Sequence, residues 1–173
     1  MQLSDGRVIN ADVATVWAAL LSPDVLKECV PGCQEMSGSP EEGFEATVVQ
    51  KVGPVKATFK GAVSLTDMVE HESLTISGEG KGGAAGFAKG GADVRLRAEG
   101  AQTVLEYDVE AKVGGKLAQL GSRIIDGFAK KMADQFFTNF QDAVGVPEAG
   151  DAEAEAAAPG EKKKGWFKRL AGA

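Results

Sequence analysis

Histidine and tyrosine each occur once in the 173 residues, and cysteine only twice. Each scarcity removes a class of function. With one histidine, His71, placed between Glu70 and Glu72 in an expected turn, no convincing Ser-His or Cys-His pair is offered, and a solvated imidazole is expected. Cys29 and Cys33 stand in a C-x-x-x-C spacing around Val30-Pro31-Gly32. That gives too few ligands for a metal centre and the wrong spacing for a redox dithiol. Two small buried residues in a reducing compartment are expected instead. No N-terminal apolar h-region is present and no run is long enough to span a bilayer, so the chain is expected on the cytoplasmic side.

Positive charge is also scarce where it would matter for nucleic acid. The formal net charge is −6, yet Lys162, Lys163, Lys164, Lys168 and Arg169 supply five cations at the extreme end, so residues 1–161 alone carry −11. A body of that sign repels nucleic acid. Hydrophobic content of 43% and charged content of 25% are those of a globular domain with a short appendage.

What is present is pattern. Leu3 to Asn10 reads as a first strand, interrupted by Gly6. Asn10 or Asp12 can cap a short helix with Val13, Val16, Trp17 and Leu20 on one face. Ser22-Pro23-Asp24 starts another, with Ser22 as cap and Pro23 in the first turn, and Pro31-Gly32 ends it. From Cys33 the period becomes two. Phe44, Ala46 and Val48 alternate with polar neighbours, as do Val55, Ala57, Phe59, Val63 and Leu65, then Leu74 and Ile76, Val94 and Leu96, and Leu105, Tyr107, Val109, Ala111 and Val113. Turns fall near Glu41-Gly43, Gly53-Pro54, Glu70-Glu72, Gly80-Gly83 and Gly100-Gln102. This predicts an antiparallel meander with one wet and one dry face.

The period changes once more from Gly115 to Val144. Leu117, Leu120, Gly121, Ile124, Phe128, Met132, Phe136 and Phe140 recur every three or four residues, which predicts one long amphipathic helix. The resulting order is β-α-α-β6-α, an α+β fold in which a curved antiparallel sheet wraps a C-terminal helix.

Gly78, Gly80 and Gly83 match G-x-G-x-x-G, but strands lie on both sides and nucleotide binding is excluded. Seven glycines between Gly78 and Gly91, with Ala84, Ala85, Ala88 and Ala92 among them, predict instead a hairpin with bulges that let the sheet curve. Inward positions filled by hydrogen or methyl leave space beneath the helix. Glu106, Asp108 and Glu110 fall on the wet face, whereas Tyr107 points inward, either as a polar handle in an apolar pocket or bonded to backbone. By face and position, Phe59, Phe87, Tyr107, Leu117, Leu120, Ile124, Phe128, Met132 and Phe136 are expected to line a cavity. No catalytic or metal-binding residues are assigned.

The end of the chain has a different character. Residues 146–164 contain Pro147, Gly150, an Ala/Glu stretch and Pro159-Gly160, the composition of a disordered linker. Residues 165–173 follow, and Lys162, Lys163, Lys164, Trp166, Phe167, Lys168, Arg169 and Leu170 combine cations with aromatic and apolar groups. A basic-aromatic tail of this kind suits an anionic membrane surface better than mere solubility. A protein-docking peptide is the alternative.

Several motifs taken together resemble a known family. Pro31-Gly32-Cys33, Gly53-Pro54-Val55-Lys56, Phe59-Lys60-Gly61, Ile76-Ser77-Gly78-Glu79-Gly80, Gly82 to Ala88 and Gly115 to Arg123 are similar, in order and spacing, to the CoxG family of carbon monoxide dehydrogenase accessory proteins. The likeness covers residues 1 to about 144. It implies the START/Bet v 1-like helix-grip fold (the SRPBCC superfamily), a seven-stranded sheet gripping the last helix around an apolar cavity, over residues 1–145. It also implies a non-enzymatic accessory of a molybdenum-containing carbon monoxide dehydrogenase, recruiting it to the cytoplasmic face of the inner membrane. The implied ligand is a respiratory quinone, menaquinone or ubiquinone, carried in the cavity with no covalently bound cofactor. The alternative expectation is a membrane-recruitment adaptor or maturation factor that carries no ligand.

Overall fold

The structure is a computed structural model that describes residues 1–145. The expected linker at 146–164 and the basic-aromatic tail lie outside the described residues. The first strand, β1 (Gln2–Ile9), leads into two short helices, α1 (Val13–Leu20) and α2 (Pro23–Cys29). Six strands follow: β2 (Cys33–Ser39), β3 (Gly43–Val52), β4 (Val55–Val69), β5 (Ser73–Lys81), β6 (Phe87–Glu99) and β7 (Gln102–Gly114). A short helix, α3 (Lys116–Gln119), and a long one, α4 (Ser122–Val144), complete the domain.

The strands form one seven-stranded antiparallel sheet in the order β1-β7-β6-β5-β4-β3-β2. The first strand crosses to pair with the last, so β1 and β2 are the two edges. Gly6 does not interrupt β1 but pairs with Glu106 in continuous register. Alternation then sorts side chains by face. Leu105 and Tyr107 are buried on β7, as are Val94 and Leu96 on β6, while Arg95, Arg97 and Asp108 face water. Local signals match the observed elements. The Ser22 hydroxyl accepts from the Val25 amide at 3.3 Å, capping α2, and Pro23 occupies its first turn.

Two further sequence expectations need correction. The C-terminal run is not one helix. Gly121, at φ +90° and ψ 157°, separates α3 from α4, a backbone region essentially closed to residues bearing a Cβ. The glycine-rich β5–β6 hairpin carries no bulge, because its register runs unbroken from Ser73↔Arg95 to Lys81↔Phe87. Gly90 and Gly91 serve close backbone approach instead, since a Cβ at either would run into a neighbouring strand's carbonyl, that of Glu110 or Ile76.

The core is divided. The larger cluster, with Val16, Trp17, Leu105 and Phe140 among its buried members, ties α1, α2 and the end of α4 to the sheet. A smaller cluster of Val52, Leu117 and Ile125 lies towards the other end, where α3 and the start of α4 meet β3 and β7. The Asn139 side-chain amide donates to the Cys29 carbonyl at 3.0 Å, fixing α4 against the end of α2.

Candidate ligand-binding cavity

Between the concave sheet face and α4 lies a cavity of about 630 Å³. The strands contribute a predominantly apolar wall, and small side chains make the room. Gly80, Ala88, Ala92 and Ala111 line it where larger residues would fill it. The roof is the inward stripe of α4: Ile125, Phe128, Ala129, Met132, Ala133, Phe136 and Phe137. Leu20, Leu26 and Val30 close one side.

Six of the residues expected from sequence are brought together here: Phe59, Tyr107, Leu117, Phe128, Met132 and Phe136. Phe87, Leu120 and Ile124 are not in the wall. Phe87 has the opposite strand parity to Ala88, so its ring lies on the outer face over Gly114, and it is 43% exposed. Leu120 ends α3 and packs with the smaller core cluster near Gly53. Ile124 is 41% exposed beside Gly53. Ile124 and Phe128 share the uninterrupted helix α4, but a run of four-residue steps drifts about 40° per step around a helix of about 3.6 residues per turn. Counting back from Phe136 therefore carries Ile124 off the inward stripe, and Ile125 lies in the wall instead.

Residues unassigned from sequence also line the wall, among them Met36, Gln50 and Phe137. The signal for Phe137 is its place one step from Phe136 on a wide stripe. For Gln50 it is the β3 alternation, continued from Val48 to Val52, but a polar residue is discounted in a search for apolar lining.

Tyr107 and Gln50 are the polar side chains in this wall. The Gln50 amide nitrogen donates to the Pro31 carbonyl, holding the loop after α2 against β3. Tyr107 is buried, stacked on Phe137 with ring centroids 5.2 Å apart. Its hydroxyl is held by a side chain rather than by backbone: it accepts from Arg7 Nη2 at 3.3 Å. Arg7 also donates to Asp134 on α4 at 2.6 Å and lies over the Phe137 ring at 5.1 Å. Burial works against the guanidinium charge, but the hydrogen bonds to Asp134 and Tyr107 outweigh it and hold the pKa above its ordinary value. Arg7 therefore stays charged, and because Tyr107 is the acceptor in this bond, its hydroxyl hydrogen is not used by it.

The candidate reactive groups are placed elsewhere. Cys29 is fully buried, and that burial, reinforced by Glu28 and Asp142, pushes its thiol up to about 11. Cys33 is partly exposed, donates to the Glu35 carbonyl at 3.2 Å and is likewise raised by burial; neither forms a disulfide. His71 is exposed in the β4–β5 turn with its ring edge-on to Trp17. Asp108 faces outward, where hydrogen bonds from Ser4 and Arg95 hold its carboxyl below the usual range. Among the described residues no group of three or more His, Cys, Asp or Glu could hold a metal ion.

The family profile described as the G subunit of carbon monoxide dehydrogenase (CoxG) matches residues 7–145, the sheet, the cavity and the gripping helix together. The chain belongs to this family. No curated protein matches it. Among solved structures, a conserved protein from Geobacillus kaustophilus is similar at 26% identity and a TM-score of 0.78, covering 83% of this chain and 95% of that one. A START superfamily protein from Mycobacterium smegmatis shares the fold at 14% identity and a TM-score of 0.62, over 83% and 96% of the two chains. Ara h 8.0201 does so at 12% identity and a TM-score of 0.57, over 83% and 97%. The architecture is thus the START/Bet v 1-like helix-grip fold. The family assignment gives the coarse function: an accessory protein of carbon monoxide dehydrogenase on a ligand-binding fold. Among the described residues no helix is long and apolar enough to cross a membrane.

Proposed function

We propose that this CoxG family member is a non-enzymatic carrier. Its cavity takes a long lipophilic molecule, a respiratory quinone of the menaquinone or ubiquinone type, and presents it to carbon monoxide dehydrogenase at the membrane. The observation that carries the reading is the cavity itself. It is about 630 Å³, walled by aliphatic and aromatic side chains, with Tyr107 and Gln50 as its polar groups.

That lining suits an isoprenoid chain, each buried CH₂ contributing about 0.8 kcal/mol without directional bonding. A quinone adds two carbonyl oxygens, and a buried hydroxyl is the matching donor. Tyr107, held by Arg7, would orient the head group. An apolar wall of this kind fits a carrier, which needs no bond chemistry of its own. The basic-aromatic tail at Lys162–Leu170, outside the described residues, would link the protein to the cytoplasmic leaflet.

The deciding experiment is organic extraction of purified full-length protein from a quinone-containing host, followed by mass spectrometry. The expected result is a quinone in stoichiometric amount. An empty extract, with no uptake of added quinone, would leave the membrane-recruitment adaptor or maturation factor as the better reading.

A further inference from the structure

The chain is acidic, but its charge is divided between the two ends of the sheet. The β2–β3, β4–β5 and β6–β7 turns carry exposed Glu41, Glu42, Glu70, Glu72 and Glu99. At the opposite end the outer face carries three lysine pairs directly across from one another: Lys51↔Lys56, Lys60↔Lys81 and Lys89↔Lys112. All six side chains are exposed, and Lys116 on α3 and Arg123 in the first turn of α4 are exposed at the same end. The acids nearby are few. Glu79 pairs directly with Lys89 across β5 and β6 and also lies 3.9 Å from Lys81, Glu110 accepts from Gln2, and Asp126 is exposed on α4.

Like charges facing each other across strands destabilise a sheet, and here the arrangement occurs on three strand pairs at one end. An external anion would turn that internal cost into attraction. Phe87 and Ile124 lie at this same end, the first on the outer sheet face and the second beside the β3–β4 turn, each about two-fifths exposed. Exposed apolar groups among long cationic side chains suit a lipid head-group layer, where lysine stems and aromatic rings reach the acyl boundary.

We propose that this lysine-rimmed end of the sheet is a membrane-docking face, with anionic phospholipid as its partner. Lys51, Lys56, Lys60, Lys81, Lys89 and Lys112 meet the phosphates, while Phe87 and Ile124 enter the interface. The face lies beside the small cluster of Val52, Leu117 and Ile125, so the inference deepens the carrier reading and rests on it for its purpose: the cavity would be set against the source of its ligand. It is separate from the basic tail, and the two together would supply the pair of weak signals that stable peripheral binding requires.

The test uses the full chain and co-sedimentation with vesicles of phosphatidylcholine, with and without phosphatidylglycerol. Lys51→Gln with Lys56→Gln removes one like-charge pair that has no acid in register with it, so the fold should survive, and an unchanged or raised Tm checks this. At about 1 kcal/mol per lysine near an anionic surface, binding to the anionic vesicles should weaken roughly 30-fold. Binding within threefold of wild type would overturn the proposal. So would retained vesicle binding with lost affinity for carbon monoxide dehydrogenase, which would give the face to an acidic protein surface instead. Extraction of the same protein separates the two ideas: lysine-dependent docking with an empty cavity supports the docking face and overturns the carrier.

Discussion

Tyr107 shows how much a single position can disclose. Its inward direction follows from β7 alternation alone, but its partner does not. Arg7 lies a hundred residues away on an edge strand whose pattern is weak, and only the β1–β7 pairing, with Asp5 opposite Tyr107, brings it near. Tyr107→Phe should leave the fold intact and weaken binding of a short-chain menaquinone about fivefold, the worth of one net hydrogen bond of about 1 kcal/mol. Titration calorimetry checks this, and unchanged affinity would remove the hydroxyl from head-group recognition. Cys29 gives a prediction in pH. Its folded pKa is raised to about 11, above about 8.5 for a free thiol. The unfolded chain therefore loses its proton first, and the stability contribution present below pH ~8.5 is lost progressively up to about pH 11. Urea denaturation across that window should show falling stability, with a shallower fall in Cys29→Ala.

At the scale of elements, periodicity places the strands and identifies the gripping helix, because each strand buries one face and each turn carries glycine, proline or acid. It fails where a local backbone state overrides the pattern. The apolar repeat continues past Gly121, so nothing in hydrophobicity marks the break; the positive φ does. The same break explains why an uninterrupted count puts Leu120 in the cavity; Ile124 is misplaced, and Ile125 left out, by the drift of four-residue steps within α4 itself. Gly121→Ala should cost about 1–3 kcal/mol, the strain of a Cβ in that region, read as a lower urea midpoint. It should also disturb Leu117, which α3 holds in the cavity wall. A variant as stable as wild type would mean that α3 and α4 can merge without loss.

For the molecule as a whole, fold and cavity rest on composition distributed across many strands, and so were legible. The glycine–alanine content of β5 and β6 signals empty volume even though the expected bulges are absent. The polar members of the wall are less visible, since Gln50 looks like any wet-face residue until Pro31 is seen beside it. Phe128→Asp places a carboxylate in an apolar wall, where desolvation disfavours it strongly. Extracts of that variant should contain no quinone while circular dichroism remains that of the folded domain. Quinone retained by a folded variant would move the ligand away from α4. Conversely, saturating wild type at a hundred times its Kd should stabilise it by about 2.7 kcal/mol, visible as a raised Tm.

The unequal division of the core has a kinetic meaning. Native proteins open in cooperative units whose stability follows the apolar contacts each retains. Val52, Leu117 and Ile125 form a small unit at one end, while Val16, Leu105 and Phe140 anchor a large one at the other. Amide protons of α3 and the first turn of α4 should therefore exchange with deuterium long before those near Phe140. A ligand carried as proposed would then come and go on the timescale of that local opening, while the rest of the molecule stays shut.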